Sequence, residues 1–242
     1  MPDNGFPNGT SHPSTIRPIG VYALSGLAAD GKHLFSIDTV RGYLISVDPQ
    51  TNNTVILNPY QLEDKEWIDA VGLSLWQETF WFAREDEVFW CDRTKLEPTL
   101  FAQLPYPVAG VAVWETTVYV SCQKSGYIHL FHRTTGETLG KFPQPGVGDE
   151  TLAANEDGLW VCDKTEQTVY CLDKTTGAIQ LSALTPYSSP TGIAFCQPAT
   201  AQSPICYIVY ADEEPYIRDN PNAESPHELT ERKSKRLNSS HY

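Results

Sequence analysis

The sequence predicts an all-β protein made of repeated four-stranded antiparallel units, and three observations support this fold class. A short motif recurs about every 40 residues, in which a glycine or another small residue precedes two apolar or small residues. Aromatic residues make up 11% of the chain and only one Met is present, a composition that suits half-buried sheets. Sixteen glycines and eighteen prolines supply the turns that many short strands require. A repeat of this length built from short strands is typical of a β-propeller. The five motifs begin at Gly26, Gly72, Gly110, Thr151 and Gly192.

Turn signals divide each repeat into four short strands, and the fourth copy shows the division in full. Residues 151–154 are predicted to form its innermost strand, and the turn sequence Asn-Glu-Asp-Gly at 155–158 leads into an apolar second strand at 159–162. A third strand is predicted at 168–172 and, after a turn at 173–177, a short outer strand at 178–181. Four antiparallel strands form one propeller blade.

The other copies follow the same plan with local differences. The first copy predicts strands at 34–37 and 43–47, and the third predicts strands at 118–121 and 127–131. The fifth copy is ragged, because a longer loop at 197–204 separates its first two strands, the second of which is predicted at 205–210. Five repeats are therefore visible, and the ring is incomplete unless a strand near 16–24 or residues beyond the present end close it.

The propeller is expected to occupy residues 18–215, after a leader at 1–17 whose Pro, Ser, Asn and Gly content is typical of disorder. We expect residues 216–230 to begin a linker to a C-terminal domain that is missing from this chain. Residues 231–242 are basic and resemble the in-frame translation of a sequencing adapter, so we expect a non-native tail. A genuine basic tail is the alternative.

The chain carries a formal net charge of −13, which bears on its partners. An acidic surface repels phosphate backbones and anionic lipids, so we expect no nucleic-acid partner and no membrane partner. A protein or peptide partner, basic in character, or a metal ion is favoured, and plain solubility is the alternative. No run reaches the roughly 18 apolar residues of a membrane span. No secretory signal pattern is present either, so we expect a cytoplasmic protein.

Six cysteines are present without a CxxC pair, so the sequence does not indicate a structural zinc site. Cys162 and Cys171 flank a predicted hairpin turn, a position that allows them to face one another across it, and we expect reduced, packed thiols rather than a disulfide. Cys122 lies two residues before Lys124, whose charge would lower the thiol pKa and favour a nucleophile. A packed thiol is the favoured interpretation, because no G-x-S-x-G motif is present and the histidines are scattered.

Three aspartates, Asp38, Asp163 and Asp212, end the predicted second strands of three blades. Equivalent positions in a propeller meet at one face, and converging carboxylates are ligands that Ca²⁺ prefers. The sequence therefore raises the hypothesis of a calcium site, and calcium is the one cofactor considered for this chain. The alternative is local, because an Asp at a strand end accepts hydrogen bonds from the turn that follows it.

Two tryptophans occupy the same position in neighbouring blades. Trp76 and Trp114 each lie four residues after the motif glycine, and polar turn residues follow both. Because aromatic anchors are enriched at interfaces, both are candidates for lining a partner-binding face, and packing between blades is the favoured interpretation. Glu150 directly precedes the fourth innermost strand and is predicted to edge the central channel, where it would contact a partner. A solvated turn carboxylate is the alternative for Glu150.

The segment Ser-Pro-Thr-Gly-Ile-Ala-Phe at 189–195 resembles a stretch of the six-bladed lactonase and senescence-marker-type propellers. More broadly, the chain resembles six-bladed TolB-like and NHL-type propellers. The lactonase family carries a metal-binding Asn immediately before the Gly, whereas this chain has Thr191, whose hydroxyl is a weaker ligand. The resemblance implies an alternative function, a stand-alone metal-dependent propeller hydrolase.

A second resemblance covers about residues 16–230. Its distinctive stretches are 17–28, 110–124, 161–173 and 212–224, the last reading Asp-Glu-Glu-Pro-Tyr-Ile-Arg-Asp-Asn-Pro-Asn-Ala-Glu. They are similar to the N-terminal propeller region of bacterial, mainly cyanobacterial, transglutaminase-like-domain proteins. The resemblance implies a non-catalytic binding or scaffold module, accessory to a Cys-His-Asp active site in a domain that this chain lacks. It therefore implies that the chain itself is not an enzyme.

Overall fold

The structure is a computed structural model that describes residues 24–58, 67–148, 150–185, 189–197 and 203–210. The predicted leader, linker and basic tail lie outside these residues, as does Asp212. The suggested closing strand near 16–24 also lies outside them, apart from its last residue. Among the described residues, no helix has the length and hydrophobicity needed to cross a membrane.

The described residues form eighteen strands, grouped into four four-stranded antiparallel blades and a two-stranded part of a fifth. Blade 1 comprises β1 (Leu24–Ala29), β2 (Leu34–Asp38), β3 (Tyr43–Val47) and β4 (Thr54–Ile56). Blade 2 comprises β5 (Ala70–Trp76), β6 (Thr79–Arg84), β7 (Glu87–Asp92) and β8 (Thr99–Gln103). Blade 3 comprises β9 (Val108–Trp114), β10 (Thr117–Cys122), β11 (Tyr127–His132) and β12 (Thr138–Pro143). Blade 4 comprises β13 (Glu150–Ala154), β14 (Leu159–Asp163), β15 (Thr168–Leu172) and β16 (Ile179–Leu184). Blade 5 comprises β17 (Pro190–Cys196) and β18 (Ile205–Tyr210).

The predicted four-stranded blades are confirmed, and several strands have the predicted bounds. Strands β3, β15 and β18 begin and end as predicted, and most others are longer by one or two residues. The largest difference is β16, predicted at 178–181 but observed at 179–184, because its pairing with β15 continues until Leu184 lies opposite Thr168. Ser182 and Ala183 give no apolar alternation that would reveal this extension, since nearly all of this outermost strand is exposed to solvent.

Glycine in the innermost strands permits their backbones to approach closely. A Cβ on Gly26 would lie 2.2 Å from the backbone nitrogen of Leu73, and one on Gly72 would lie 2.8 Å from the Cα of Gly110. Both glycines have positive φ angles, which residues with side chains rarely adopt. The glycines that mark blades 1 and 2 in the sequence are therefore required by packing between blades.

The innermost strands contact one another in chain order, and the fifth also contacts the first. Strand β17 packs against both β13 and β1, and the hydroxyl of Thr191 donates a hydrogen bond to the carbonyl of Leu24 at 2.8 Å. A Cβ on Gly192 would lie 2.6 Å from the carbonyl carbon of Gly26. The partial fifth blade therefore lies beside blade 1, as a ring arrangement requires.

Apolar clusters between neighbouring blades form the core, and cationic side chains link blades at the surface. Phe35 of blade 1 packs edge-on against Phe80 of blade 2, with ring centroids 5.2 Å apart. Arg93 of blade 2 pairs with Asp30 of blade 1 and lies 5.1 Å from the centroid of the Phe35 ring. Stacked blades bury the apolar faces that a single blade would leave exposed.

The two cysteines of blade 4 do not face one another across the hairpin. Cys162 lies opposite Val169 and Cys171 lies opposite Trp160, so the two thiols are not cross-strand partners. The reason is register, because Asp163 pairs with Thr168 and places the two cysteines on different rungs of the ladder. Both thiols are buried and free of disulfide bonds.

Candidate functional site

The predicted site residues lie at two different ends of the blades. All innermost strands run in the same direction, so they begin at one face of the propeller, the start face, and end at the other, the end face. Asp38 and Asp163 end second strands and lie at the start face with Glu150. Trp76 and Trp114 end innermost strands and lie at the end face. The structure therefore separates the candidate metal ligands from the candidate aromatic anchors.

Asp38 is fully buried, and both of its carboxylate oxygens bind the turn that follows β2. Its Oδ1 accepts hydrogen bonds from the backbone N–H groups of Val40 at 3.1 Å and Arg41 at 3.2 Å. Its Oδ2 accepts a hydrogen bond from the Arg41 guanidinium at 2.8 Å. A buried carboxylate needs such partners, and here they come from its own turn.

Asp163 is also fully buried, and it accepts four backbone hydrogen bonds. Its Oδ1 binds the N–H groups of Thr165 at 2.7 Å and Glu166 at 2.8 Å, in the turn after β14. Its Oδ2 binds the N–H groups of Val147 at 2.9 Å and Gly148 at 3.0 Å. The same aspartate thus stabilises its own turn and the loop that enters blade 4.

These hydrogen bonds correspond to the local alternative for the repeated aspartate. Among the described residues, no group of three or more His, Cys, Asp or Glu side chains is arranged to hold a metal ion. The calcium hypothesis also requires Asp212, which lies outside the described residues, so it stays a prediction. The hydroxyl of Thr191 donates a hydrogen bond to the backbone carbonyl of Leu24 in blade 1.

Glu150 is the first residue of β13, and its side chain is fully buried beside Asp163. Its Oε1 accepts a hydrogen bond from the N–H of Gly146 at 3.0 Å, and its Oε2 has no partner among the described residues. Burial raises the pKa of Glu150 to about 8, and the negative charges of Asp163 and Glu166 add to this effect. This carboxyl group therefore holds its proton at neutral pH.

The burial of Glu150 differs from both interpretations of its sequence position. The side chain lies beneath residues 146–148 and neither projects as a solvated turn carboxylate nor reaches the surface where a partner would contact it. The predicted partner contact by Glu150 stays a prediction that requires this loop to move. The signal that sequence reasoning missed is the Gly-Val-Gly segment at 146–148, where any Cβ on Gly146 would clash with the Asp163 carboxylate.

Trp76 and Trp114 contact each other across the boundary between blades 2 and 3. Their rings lie edge to face with centroids 5.3 Å apart, and each side chain is half-buried. Packing between blades, the favoured interpretation, is therefore present. It does not remove Trp114 from the surface, because the same side chain lines a pocket on its other side.

The Trp114 pocket is an open depression of about 400 Å³ at the end face, between blades 3 and 4. Residues 114–117 and Tyr119 of blade 3 form one wall, and Glu156, Lys174 and Thr175 of blade 4 form the other. The hairpin between β9 and β10 and the turn between β15 and β16 thus meet here. Aromatic, hydroxyl, carboxylate and ammonium groups are all within reach of a ligand.

Lys174 holds the two walls of the pocket together. Its Nζ lies 4.4 Å from the centroid of the Trp114 ring, and it donates hydrogen bonds to the carbonyls of Asn155 and Glu156. The Tyr119 hydroxyl donates to the carbonyl of Lys174 at 3.3 Å. Because a cation over an aromatic face is attracted by the ring, Lys174 orients the tryptophan. Sequence analysis missed Lys174, which lies in a turn 60 residues from Trp114 along the chain.

Cys122 does not have the environment that a nucleophile needs. Its side chain is buried at the end of β10, and burial raises the pKa of its thiol to about 11. Lys124 was the group expected to lower this pKa, but desolvation is the dominant effect. The favoured interpretation of a packed thiol agrees with this environment.

Comparison with known proteins identifies the fold. No protein-family model matches the chain, and no curated protein matches it. Glutaminyl cyclase from Myxococcus xanthus, a β-propeller-like fold, aligns over 80% of this chain and 96% of its own, with 15% identity and a TM-score of 0.58. A chain of a nidogen–laminin complex aligns over 71% of this chain and 67% of its own, with 11% identity and a TM-score of 0.54. At these identities the likenesses show the fold alone, and that fold is a β-propeller.

Proposed function

We propose that this propeller is a non-catalytic binding module whose protein or peptide partner docks at the Trp114 pocket on the end face. The observation that carries the proposal is the pocket itself, built by two blades around a tryptophan that the blade repeat had made a candidate partner contact. Aromatic anchors surrounded by polar groups contribute most of the binding energy in many interfaces.

The pocket is organised before any partner arrives. Trp76 packs against one side of Trp114, and Lys174 lies over its ring. The turn that carries Lys174 is itself closed by hydrogen bonds from Thr175 and Thr176 to Asp173. Binding to a rigid site costs less conformational entropy, so a small depression of this kind is able to contribute useful affinity.

The proposed context is a larger protein, in which the propeller is an accessory to a transglutaminase-like domain. The resemblance to transglutaminase-like-domain proteins supports this context. The high pKa and burial of Cys122, and the use of Asp38 and Asp163 in their own turns, support a role without catalysis by this chain. A rigid disc that presents loops is well suited to hold a substrate protein for a neighbouring active site.

A displayed library of random peptides, selected against the immobilised chain, tests the binding proposal. We expect peptides that bind the wild-type protein and the Trp90→Phe variant but bind Trp114→Phe weakly. Trp90 is a matched control, because it is also half-buried and contacts another tryptophan, Trp81, with ring centroids 6.4 Å apart. Selected peptides that bind Trp114→Phe as well as the wild type would refute docking at this pocket.

A separate assay addresses catalysis. The purified chain is expected to show neither transamidase nor protease activity with generic glutamine-containing and casein substrates. Reproducible turnover that disappears in Cys122→Ser, but not in the control Cys171→Ser, would contradict the proposed role.

A further inference from the structure

We propose that residues 146–148, the glycine flap, open when Glu150 loses its proton and thereby expose two carboxylates at the start face. The flap lies between the last strand of blade 3 and the first strand of blade 4, over the side chains of Glu150 and Asp163. This device at the start face is independent of docking at the Trp114 pocket. Its basis is a buried pair of carboxyl groups and the few hydrogen bonds that hold the flap over them.

The two carboxyl groups beneath the flap differ in how well they are stabilised. Glu150 and Asp163 lie opposite each other on neighbouring strands, and both side chains are fully buried. Asp163 has the donors that a buried negative charge requires, because four backbone N–H groups bind its two oxygens. Glu150 has one such donor, the N–H of Gly146, and its Oε2 has no partner among the described residues. Since two neighbouring buried carboxyl groups without a counter-ion are costly to ionise together, Glu150 is the one that holds a proton.

The groups of blade 4 around Glu150 add no positive charge. Burial is the main cause that raises the pKa of Glu150, and the negative charges of Asp163 and Glu166 raise it further. Burial also raises the pKa of the Cys162 thiol, on β14, to about 12, so this group stays neutral. Neither Glu150 nor Asp163 forms an ion pair with any cation in the described part of the chain.

Blade 3 supplies only groups that do not titrate. The Gln144 amide approaches the Glu150 carboxyl, but its buried Nε2 has no hydrogen-bond partner within the described ranges. The Ser121 hydroxyl donates a hydrogen bond to the backbone carbonyl of Glu150. A negative charge on Glu150 would therefore be uncompensated as long as the flap is closed.

Three hydrogen bonds hold the flap, and all three end on these carboxyl groups. The N–H of Gly146 binds Oε1 of Glu150 at 3.0 Å. The N–H groups of Val147 and Gly148 bind Oδ2 of Asp163 at 2.9 and 3.0 Å. No other hydrogen bond to residues 146–148 is formed by the described residues. Val147 is 81% exposed, so the flap buries little apolar surface, and its opening breaks few contacts.

The chain on either side of the flap is anchored independently of the two carboxyl groups. Before the flap, the N–H of Gln144 donates a hydrogen bond to the carbonyl of Gly126 at 3.0 Å. After the flap, the carbonyl of Glu150 accepts the hydrogen bond from Ser121 at 2.6 Å. The flap is thus able to open locally while β12 and β13 keep their places in the blades.

Ionisation of Glu150 favours the open flap because water then stabilises the new charge. With the flap closed the pKa of Glu150 is about 8, and it returns toward 4.5 when water reaches the carboxyl. Opening therefore releases a proton, so the opening equilibrium shifts toward the open flap as the pH rises between 4.5 and 8. The open flap leaves Glu150 facing solvent at the start face, which is what contact with a basic partner requires.

Hydrogen exchange of individual backbone amides, measured by NMR on the whole chain in buffer with EDTA, tests the proposal. Rates between pH 5 and 8 are corrected for the intrinsic pH dependence of exchange. The opening equilibrium of the flap amides should increase by about 100-fold over this range, since one released proton allows up to about tenfold per pH unit. The amides of Thr165 and Glu166 bind the other oxygen of Asp163 and are the internal control, so their opening should not follow the pH.

Two variants identify the group that titrates. Glu150→Gln replaces the protonated acid by a neutral group of similar shape, so its flap amides should lose the pH dependence. Glu166→Gln is the matched control, because Glu166 is an exposed carboxylate in the adjacent turn. This control should retain most of the pH dependence of the wild type.

Three results would overturn the proposal. The first is corrected exchange of the wild-type flap amides that does not change with pH. The second is a pH dependence that persists in Glu150→Gln, since another group would then be titrating. The third is an equal increase at the amides of Val118 and Val120, which are buried in the core of blade 3. That increase would show that the whole protein opens and that the flap does not open by itself.

Discussion

The buried carboxyl of Glu150 makes the stability of the propeller depend on pH in a direction that can be calculated. Its pKa is raised from 4.5 to about 8 in the folded protein, mainly by burial. Below pH 4.5 both the folded and the unfolded state carry the proton. Between pH 4.5 and 8 only the folded state keeps it, so the free energy of unfolding decreases as the pH rises through this range. Above pH 8 both states are ionised and this loss is complete.

The magnitude follows from the same values. Each pKa unit corresponds to about 1.4 kcal/mol, so the full loss approaches about 5 kcal/mol. Glu150→Gln replaces the protonated carboxyl with a neutral group of similar shape that does not titrate. We therefore expect similar stability of the two proteins near pH 4.5. At pH 9 the variant should be more stable than the wild type by about 3 to 5 kcal/mol.

Urea unfolding of the wild type and of Glu150→Gln at a series of pH values measures this difference. Glu97→Gln serves as the control, because the exposed side chain of Glu97 should not change the pH profile. The free energy of unfolding of Glu150→Gln, relative to the wild type, should rise between pH 4.5 and 8 and level off above. A constant difference across this range would refute the burial argument, and a difference that falls with pH would reverse its sign.

Three further predictions test packing, thiol reactivity and the role of the repeated aspartate. Gly26→Ala should destabilise the protein by about 3 kcal/mol or more, because its Cβ would overlap the Leu73 backbone. Gly126 has a similar φ, but a Cβ placed there would have no other atom within 4 Å, so Gly126→Ala should cost about 1 kcal/mol. Equal losses of unfolding free energy for the two variants, measured by urea unfolding, would contradict this prediction. Because its thiol is buried, Cys122 should resist alkylation by iodoacetamide at neutral pH until urea unfolds the chain. Rapid labelling of Cys122 in the folded protein, detected by mass spectrometry, would contradict its burial. When both proteins are measured in calcium-free buffer, Asp163→Asn should lower the free energy of unfolding by about 2 to 4 kcal/mol. The reason is that four backbone N–H groups lose a charged acceptor. Calcium that raises the melting temperature of the wild type but not of this variant would instead favour a metal site.

The strands of the blades could be predicted from sequence because their signals are local. Turn residues surround Tyr43–Val47, Thr168–Leu172 and Ile205–Tyr210, and all three strands have the predicted bounds. A turn and an apolar run lie within a few residues of each other, so their physical causes are visible along the chain. The position of Trp114 at a blade boundary was predictable for the same reason, since it repeats with the motif glycine.

The candidate site depended on contacts that the sequence does not display. Glu150 pairs with Asp163, and residues 146–148 fold over both side chains. This arrangement buries the Glu150 carboxyl, and burial is the main reason that its pKa is raised. Cys122 had a neighbouring lysine in sequence, but its burial governs its pKa. Desolvation depends on what surrounds a group in space, and local sequence does not report it.

By itself the sequence determined a repeated, acidic, all-β chain with small residues wherever innermost strands approach, because periodicity, composition and charge are properties of the chain alone. The tertiary structure decided which surfaces those strands bury and which groups they bring together. It placed Lys174 over Trp114, put Glu115 and Glu156 on two walls of one pocket, and withdrew Glu150 from solvent. The physical reason is that each of these features joins different blades or strands, and only the stacking of blades determines the distances between them.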